Sequence, residues 1–363
     1  MSGIRRAYEQ MCSFDKLYEA HVRARKGKRG KQEVIQFELK LSENLVRLQK
    51  ELLDRTYRIR GYRQFEVYDP KRRTIHALDY RDRIVQHSLC DNIIAPYMEK
   101  HLIYDNAAGR STKGTHFAMD RLELFLHKHY REYGTEGYFL KFDIRHYFDS
   151  IDHEILKKLY QKVFAEERDV YWLISHIIDS YGDEQGKEIP LGNQTSCWFA
   201  SWYLDGLDRL IKEKLGIKYY SRYMDDGILV HHDKKYLKEC LVKMERFIND
   251  KRKLCFNQKT QIVPLSQGVD YLGFHFYLTD TGKVVRKLRM SNKKRIKRKL
   301  KRYRHAYRIG KIDMDAITRS LHSYRGHLSH GDTWHLQKTI SKHLILSKQT
   351  LKERQDKIKG ASI

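Results

Sequence analysis

Two adjacent carboxylates stand at a predicted tight turn in the middle of the sequence. Asp225 and Asp226, in the segment Tyr223-Met-Asp-Asp-Gly227, separate two short apolar runs, 218–224 and 227–230. This pattern predicts two strands joined by a turn that carries the two carboxylates. Asp-Gly is also among the commonest hairpin turns. Taken alone, the segment therefore favours a purely structural turn.

A third carboxylate ends another predicted strand. Asp143 follows the apolar run Tyr138-Phe-Leu-Lys-Phe, where an unpaired carboxylate would be costly to bury. If the strands are neighbours, Asp143, Asp225 and Asp226 converge and repel one another unless cations neutralise them. Mg²⁺ prefers a few carboxylates plus substrate phosphates, and two such ions about 4 Å apart clamp the attacking and leaving oxygens of a phosphoryl transfer. This chemistry is typical of a nucleic-acid polymerase.

Composition agrees with a nucleic-acid partner. The 363 residues include 72 Lys and Arg against 46 Asp and Glu, a net charge of +26 that indicates a polyanionic ligand. Five scattered cysteines without a CxxC pair or zinc spacing exclude a disulfide scaffold and are typical of reduced thiols. No apolar stretch approaches the length of a membrane span, and the N-terminus carries charges where a signal peptide would be apolar. We expect a soluble, cytoplasmic protein of two or three packed units that binds no membrane.

Periodicity predicts helices over 33–53, 83–103, 115–130, 153–181, 194–214 and 234–251. It predicts a basic-tipped hairpin on both sides of Asp69-Pro70, short strands near 261–263 and 271–276, and an all-helical tail from 291. Residues 281–310 carry 14 Lys and Arg and no acidic residue. This order of elements predicts an α+β fold in which helices cover one face of a mainly antiparallel sheet.

Five segments, in the family's order, resemble motifs A to E of reverse transcriptases. They are Phe142-Asp-Ile-Arg-His-Tyr-Phe-Asp, Ile189-Pro-Leu-Gly-Asn-Gln-Thr-Ser-Cys, Tyr223-Met-Asp-Asp, Asn257-Gln-Lys-Thr and Tyr271-Leu-Gly-Phe. The resemblance extends from about residue 55 to about residue 340. It implies a right-hand polymerase fold with an N-terminal helical extension at 1–54, fingers at 55–136, a palm at 137–280 with finger and palm helices interleaved, and a basic helical thumb and tail at 281–363.

The activity implied by the resemblance is RNA-directed DNA polymerisation, in which cDNA is made from an RNA template. Its cofactors would be two Mg²⁺ ions, with Mn²⁺ as a possible substitute, and its substrates dNTPs. Its partners would be template RNA and the RNA/DNA hybrid. The priming mechanism stays open, as does participation of a basic accessory protein or a structured noncoding RNA.

The resemblance also implies roles for single residues. Asp143, Asp225 and Asp226 would be the catalytic carboxylates, and the backbone carbonyl of Ile144 would be a further metal ligand. Lys259, in the motif D-like segment, would donate a proton to the leaving pyrophosphate, although a surface lysine is the commoner explanation for such a residue.

Contacts to the dNTP or the template are implied for Lys71, Arg73, Arg110, Lys113, Phe148, Leu191 and Gly192. Phe148 holds the position that blocks a ribose 2′-hydroxyl, although composition alone equally allows a core aromatic. Lys71 and Arg73, at the predicted hairpin tip, match residues that hold the triphosphate, and Arg73 is the better match. A short charged turn is otherwise usually just solvated. Arg110 and Lys113 resemble the template-contacting segment of the fingers.

The segment Leu191-Gly-Asn-Gln-Thr-Ser-Cys197 bears on the subfamily. Most reverse transcriptases have Gln-Gly-x-x-x-Ser-Pro here, whereas those of diversity-generating retroelements have Ile, Val or Leu first and Gln last. Leu191 and the segment Ser323-Tyr-Arg-Gly-His-Leu-Ser-His-Gly-Asp-Thr-Trp resemble the second group, which implies error-prone copying. Cys197 departs from both patterns.

Two kinds of alternative remain open from the sequence. One is a retron-like, group II intron-like or antiviral defence-associated bacterial reverse transcriptase, which would use the same catalytic residues on a different RNA. The other is a nucleic-acid-binding protein with an inactive polymerase fold. The sequence speaks against the second, because a mere binder with a charge of +26 has no use for three closely spaced carboxylates.

Overall fold

In the computed structural model, which describes residues 2–68 and 72–343, the chain opens with four helices. They are α1 (Ser2–Met11), α2 (Phe14–Ala24), α3 (Gln32–Glu38) and α4 (Leu41–Leu53). The prediction of one helix over 33–53 is wrong, because the backbone leaves the helical conformation at Lys40, with φ −129° and ψ 44°. The side-chain amide of Asn44 donates to the Phe37 carbonyl at 3.0 Å and so satisfies an acceptor that the break leaves free.

An antiparallel hairpin follows, as predicted. β1 (Tyr62–Val67) pairs with β2 (Arg73–Leu78), with Tyr62 opposite Leu78 and Val67 opposite Arg73. Apolar and polar residues alternate along both strands because successive side chains of a strand point to opposite faces. The predicted tip at 69–71 lies outside the described residues, and Lys71 lies there too.

The next segment is helical, as predicted for 83–103 and 115–130. It comprises α5 (Tyr80–Leu89), one wide π turn (Cys90–Ile94), α6 (Ala95–His101) and α7 (Thr115–Tyr133). α5 begins where the Asp79 carboxylate accepts a hydrogen bond from the Arg81 amide at 3.1 Å. Pro96, the second residue of α6 and two positions after the π turn, has no N–H to continue regular α-helical bonding.

A four-stranded sheet positions the carboxylates that the sequence singled out. Its strands, in the spatial order β4-β5-β3-β6, are β3 (Tyr138–Asp143), β4 (Tyr219–Tyr223), β5 (Asp226–His231) and β6 (Gln261–Pro264). The hairpin predicted over 218–230 is confirmed, and β4 and β5 are antiparallel. The strand predicted near 261–263 is present as β6.

Five helices connect these strands. They are α8 (His153–Val163), α9 (Arg168–Asp179), α10 (Gln194–Tyr203), α11 (Asp205–Arg209), which ends in a π turn at Leu210–Lys214, and α12 (Lys234–Arg252). The predicted continuous helix over 153–181 is wrong. Leu156 and Tyr160 of α8 and Leu173 and Ile177 of α9 are all buried, and the break at 164–167 lets the two helices pack against each other.

The described residues divide into two compact units, one formed by 2–68, 72–122 and 140–262 and the other by 123–139 and 263–343. The second unit contains β7 (Val269–Tyr271), β8 (Phe274–Leu278) and β9 (Val284–Leu288), followed by α13 (Met290–Arg308), α14 (Met314–Leu328) and α15 (Trp334–His343). The helical tail, as far as residue 343, is confirmed. The single strand predicted near 271–276 is wrong, because Leu272 and Gly273 take positive φ values of +45° and +94° and turn the chain there, so that β7 and β8 form a hairpin. β9 was not predicted.

The strand pairs β1–β2, β4–β5, β7–β8 and β8–β9 are all antiparallel, and helices connect or follow them. The predicted α+β class is therefore confirmed. Within the described part of the chain, no helix is both long enough and apolar enough to cross a membrane.

Candidate active site

The turn between β4 and β5 consists of Met224 and Asp225, since Tyr223 pairs with Asp226 across the hairpin. Met224 takes the left-handed conformation, with φ +54°. Gly227 therefore lies in β5 and not in the turn, so turn geometry does not explain why this position is a glycine. A Cβ at this position would lie 2.1 Å from a ring carbon of Phe142, so that only glycine allows the Phe142 ring to pack on β5.

This packing places the end of β3 against the turn. The Ile144 amide donates to the Asp225 carbonyl at 3.3 Å, and the Asn257 amide donates to the Asp143 carbonyl at 2.7 Å. Asp143 therefore lies between the turn and the Asn257-Gln-Lys-Thr segment. These backbone contacts bring the carboxylates of Asp143 and Asp225 together, as the sequence predicted for neighbouring strands.

The electrostatics of the turn follow from this arrangement. Burial and, to a smaller extent, the negative charge of Asp143 together raise the pKa of Asp225 to about 6. Burial also raises the pKa of Asp226, to about 7, although Lys141 opposes the shift. Nζ of Lys141 lies 3.4 Å from Oδ1 of Asp226. This buried oxygen accepts no well-formed hydrogen bond from the described residues.

The donor set suits a hard divalent cation. Asp143 and Asp225 repel each other, and the Asp226 oxygen lacks a full partner, so a cation would relieve both costs. Among the residues that the structure describes, no group of three or more His, Cys, Asp or Glu side chains is arranged as a complete metal site. Mg²⁺ commonly takes only one or two protein carboxylates and completes its shell with water and phosphate. The pair therefore fits Mg²⁺, while convergence of all three carboxylates stays a prediction.

Lys141 was not singled out from the sequence. It precedes Asp143 by two positions on β3, so both side chains lie on the same face of the strand. The spacing of two residues could have indicated that Lys141 lies near the carboxylates, but a lysine in an apolar run does not by itself indicate a functional residue.

Phe148 and Leu191 lie on segments that are bonded to their surroundings through the backbone. Phe148 begins a 3₁₀ turn (Phe148–Ser150), its side chain is half-buried, and its carbonyl accepts from the Ile189 amide at 3.1 Å. The Leu191 carbonyl accepts from the His76 amide of β2 at 3.3 Å. The β1–β2 hairpin is thus tied to the segment that carries Leu191.

Gly192 is held at the same junction. Its φ of +108° favours glycine, and a Cβ here would lie 2.9 Å from Cγ2 of Ile75 on β2. Asn193 strengthens the junction, since its side-chain amide donates to the His76 carbonyl at 3.0 Å.

The predicted basic contacts differ in their surroundings. Arg73 is exposed at the start of β2, and Lys259 is exposed with its amide bonded to Oδ1 of Asn257 at 3.1 Å. Arg110 is buried, and its Nε donates to Glu99 at 2.7 Å. Arg110 therefore stabilises the fold through its bond to Glu99. The substrate contacts of Arg73, Lys259 and Arg110 stay predictions.

Lys113 also has internal partners. Its Nζ donates to the Tyr104 carbonyl at 2.5 Å and lies 4.2 Å from the centre of the Tyr104 ring. Burial lowers the pKa of Lys113 to about 8. The exposed Tyr104 ring and Lys113 share one surface, while contact with a template stays a prediction.

Comparison with known proteins identifies the family. A family model described as reverse transcriptase (RNA-dependent DNA polymerase) matches residues 69–276, more than half of the chain. The chain belongs to the reverse transcriptase family. The family resemblance of the five motifs is thereby confirmed, as is the polymerase-type fold class. The bounds of fingers, palm and thumb stay predictions, and so does the diversity-generating subtype.

Solved telomerase structures are among those similar to this reverse transcriptase family member. Telomerase from Candida albicans, in complex with a TWJ fragment of telomeric RNA, is 11% identical with a TM-score of 0.48, over 65% of this chain and 48% of that chain. Apo telomerase from Candida tropicalis is 13% identical with a TM-score of 0.49, over 63% and 49%. The chain spans about half the length of these telomerases. No curated protein matches the sequence.

The raised carboxyl pKa values predict a pH dependence of stability in the absence of metal. In the unfolded chain both groups titrate near about 3.9, whereas in the folded chain the pKa is about 6 for Asp225 and about 7 for Asp226. Below the pKa of the unfolded chain, the two protonated carboxyls contribute fully to the free energy of unfolding. This contribution is lost as pH rises through the pKa values of the folded chain. In EDTA, the free energy of unfolding of the parent should fall over this range relative to that of the double variant Asp225→Asn/Asp226→Asn.

Urea unfolding followed by circular dichroism measures this difference. Asp250→Asn, at an exposed position on α12, is the matched control and should keep the parental pH profile. A double variant whose profile runs parallel to that of the parent would contradict the raised pKa values.

Proposed function

We propose that the chain is an RNA-directed DNA polymerase that makes cDNA from an RNA template by phosphoryl transfer. The observation that carries this proposal is the contact of the end of β3 with the Met224-Asp225 turn, which sets Asp143 beside Asp225 in a chain of the reverse transcriptase family. A carboxylate pair that is buried and self-repelling is costly unless it has a use, and cation binding is such a use.

The residues that would hold divalent cations are Asp143, Asp225, Asp226 and the backbone carbonyl of Ile144. Two Mg²⁺ ions bound there would supply a polarised primer hydroxyl and charge stabilisation on the departing pyrophosphate. The raised pKa of Asp225 means that this carboxyl has to release its proton when a cation binds, so binding should strengthen as pH rises through about 6. Lys141 keeps the third carboxylate, Asp226, oriented at the edge of the pair.

Selection of the sugar is proposed for Phe148. Its ring is half-buried, and its backbone carbonyl accepts from the Ile189 amide, which places the Phe148 backbone beside the segment that carries Leu191. A rigid aromatic ring at this point would meet a ribose 2′-hydroxyl and leave room for deoxyribose. Arg73, exposed on β2, is proposed to hold the triphosphate.

Binding of template RNA and of the RNA/DNA hybrid is supported by charge. The net charge of +26 requires a polyanionic partner. α13 carries ten Lys and Arg among its 19 residues, and Ile296 is its buried residue. Its exposed cations suit contacts to phosphates at any sequence.

Asp225→Asn tests the proposed polymerase activity. The substitution keeps the size of the side chain and removes one charge of the pair, so the fold should persist while the cation site is weakened. Primer extension on an RNA template with Mg²⁺ and dNTPs should fall at least ~100-fold, since the metal supplies several kcal/mol of transition-state stabilisation.

Asp250→Asn serves as the control for the loss of one negative charge and should extend primers at the parental rate. Near-parental extension by Asp225→Asn would contradict a catalytic role for Asp225. Absence of extension by the parent, together with intact RNA binding, would instead favour the inactive nucleic-acid-binding protein.

We infer further that copying is error-prone, as in diversity-generating retroelements. Leu191 supports this inference, because its aliphatic side chain offers no hydrogen bond where most of the family have glutamine, while its carbonyl bond to His76 keeps its backbone in place. Geometric selection of the incoming base would then be weaker. A defence-associated reverse transcriptase is the second candidate, because Cys197 departs from the sequence of the mutagenic group as well as from that of most of the family.

Leu191→Gln separates these two functions. In the mutagenic protein, misincorporation should concentrate opposite template adenines, and the substitution should lower it roughly 2- to 10-fold, the value of one net hydrogen bond. The measurement is deep sequencing of cDNA that both proteins make from one RNA template.

Leu191→Met, which stays aliphatic and of similar volume, should keep the parental error spectrum. A parental spectrum without an adenine bias would reject the mutagenic function in favour of the defence-associated one and would leave the polymerase activity untouched.

A further inference from the structure

A completely buried ion pair lies directly behind the catalytic turn. Arg222, the residue before Tyr223 on β4, and Asp208 of α11 are both 0% exposed. Nε of Arg222 lies 2.7 Å from Oδ1 of Asp208, and Nη2 lies 2.6 Å from Oδ2. Burying two charges is expensive, and such a pair is often no more stable than hydrophobic residues of similar volume. Stability alone therefore does not explain its presence.

The other donors of the same guanidinium reach backbone carbonyls. Nη1 donates to the Met224 carbonyl at 2.7 Å, and Nη2 also donates to the Ser201 carbonyl of α10 at 3.0 Å. Met224 is the left-handed turn residue that immediately precedes Asp225. One planar group thus ties the turn to α10 and α11 at the same time.

The backbone of Arg222 is bonded to a second segment. Its amide donates to the Asp105 carbonyl at 3.1 Å, and its carbonyl accepts from the Ala107 amide at 2.9 Å. Asn106, between these two residues, directs its side-chain amide to Asp208 at 3.4 Å and accepts from Arg110 at 3.3 Å through its carbonyl. Arg222 therefore connects the turn with the segment that leads into the loop of Arg110 and Lys113.

We propose that Arg222 is a positioning residue for nucleotide incorporation: by bonding the Met224 carbonyl from a guanidinium anchored on Asp208, it fixes the turn so that the Asp225 carboxylate faces Asp143. This inference rests on the proposed polymerase function. A lysine cannot take this role, because an ammonium is a compact point charge that cannot reach both Asp208 oxygens and two backbone carbonyls in one plane.

The double variant Arg222→Met/Asp208→Leu separates positioning from stability. It leaves no buried charge unpaired, but the Tyr220 hydroxyl, 2.6 Å from Asp208, loses its acceptor, so the free energy of unfolding should fall and incorporation is compared with that of Arg252→Met where both variants are folded. The Met224 carbonyl nevertheless loses its donor, and the turn is free to shift. The maximal rate of single-nucleotide incorporation should fall about 10- to 100-fold, as expected for a small misplacement of a catalytic group. The apparent dNTP dissociation constant should change little.

Arg252→Met is the matched control. Arg252 is also a buried arginine, but its Nε donates to the Tyr203 carbonyl at 2.6 Å and its Nη1 to the Lys251 carbonyl at 2.9 Å, rather than to the turn. Its loss should lower the midpoint of thermal unfolding without lowering the incorporation rate at temperatures where the variant is folded. An equal fall in rate for Arg252→Met would attribute the effect to general destabilisation and overturn the inference.

Two further outcomes are decisive. A folded double variant with the parental incorporation rate would overturn the inference. If the double variant does not fold, Arg222→Lys decides instead, because it keeps a cation beside Asp208: a parental rate would overturn the positioning role, and a fall of about 10-fold with an unchanged dNTP dissociation constant would support it. Failure of the proposed function itself is distinguishable, because then the unaltered parent extends no primer.

Discussion

Two carboxylates that repel each other are held together where β3 meets the turn between β4 and β5. The backbone holds them there: the Ile144 amide bonds the Asp225 carbonyl, and the Phe142 ring lies so close to Gly227 that no side chain fits. Burial and the charge of Asp143 raise the pKa of Asp225, which is the electrostatic cost of this arrangement. The surrounding packing, with Phe142, Tyr220 and Phe256 in ring contact, offsets that cost.

The cations near the turn are already committed to other partners. Lys141 lies beside Asp226, and Arg222 is bonded to both oxygens of Asp208. The charge of Arg222 offsets the repulsion between Asp143 and Asp225 only in part, since the pKa of Asp225 stays raised. A cation from solution would neutralise the pair, and this is the property that the proposed phosphoryl transfer requires.

Much of this arrangement could be predicted from the sequence. Alternation predicted the β1–β2 and β4–β5 hairpins, and the ordered motifs predicted the family. The break at Lys40 was not predictable from periodicity, because it depends on the Asn44 side chain and on packing. β9 was missed because Arg286 and Lys287 give the segment a basic composition. Val284 and Val285, which have a high preference for strands, nevertheless place it in a sheet.

The site was predictable only in part. Asp143 and Asp225 end or follow apolar runs, so their convergence could be inferred from neighbouring strands. Arg222 gave no such signal, because an arginine in a strand is usually exposed, and its partner Asp208 lies 14 residues earlier on a short helix. The Asp-Gly pattern indicates a turn residue at Gly227, whereas the structure shows that Gly227 makes room for Phe142. Packing between distant segments decides both features.

Iron-catalysed cleavage of the backbone tests most directly whether Asp143 and Asp225 share a divalent cation. Fe²⁺ replaces Mg²⁺ at oxygen-rich sites, and with ascorbate and peroxide it generates hydroxyl radicals that cut the chain close to where it is bound. We predict cuts beside both Asp143 and Asp225, suppressed by excess Mg²⁺ and absent from Asp225→Asn. Cuts at only one of the two positions, or cuts that excess Mg²⁺ does not suppress, would contradict a shared cation site.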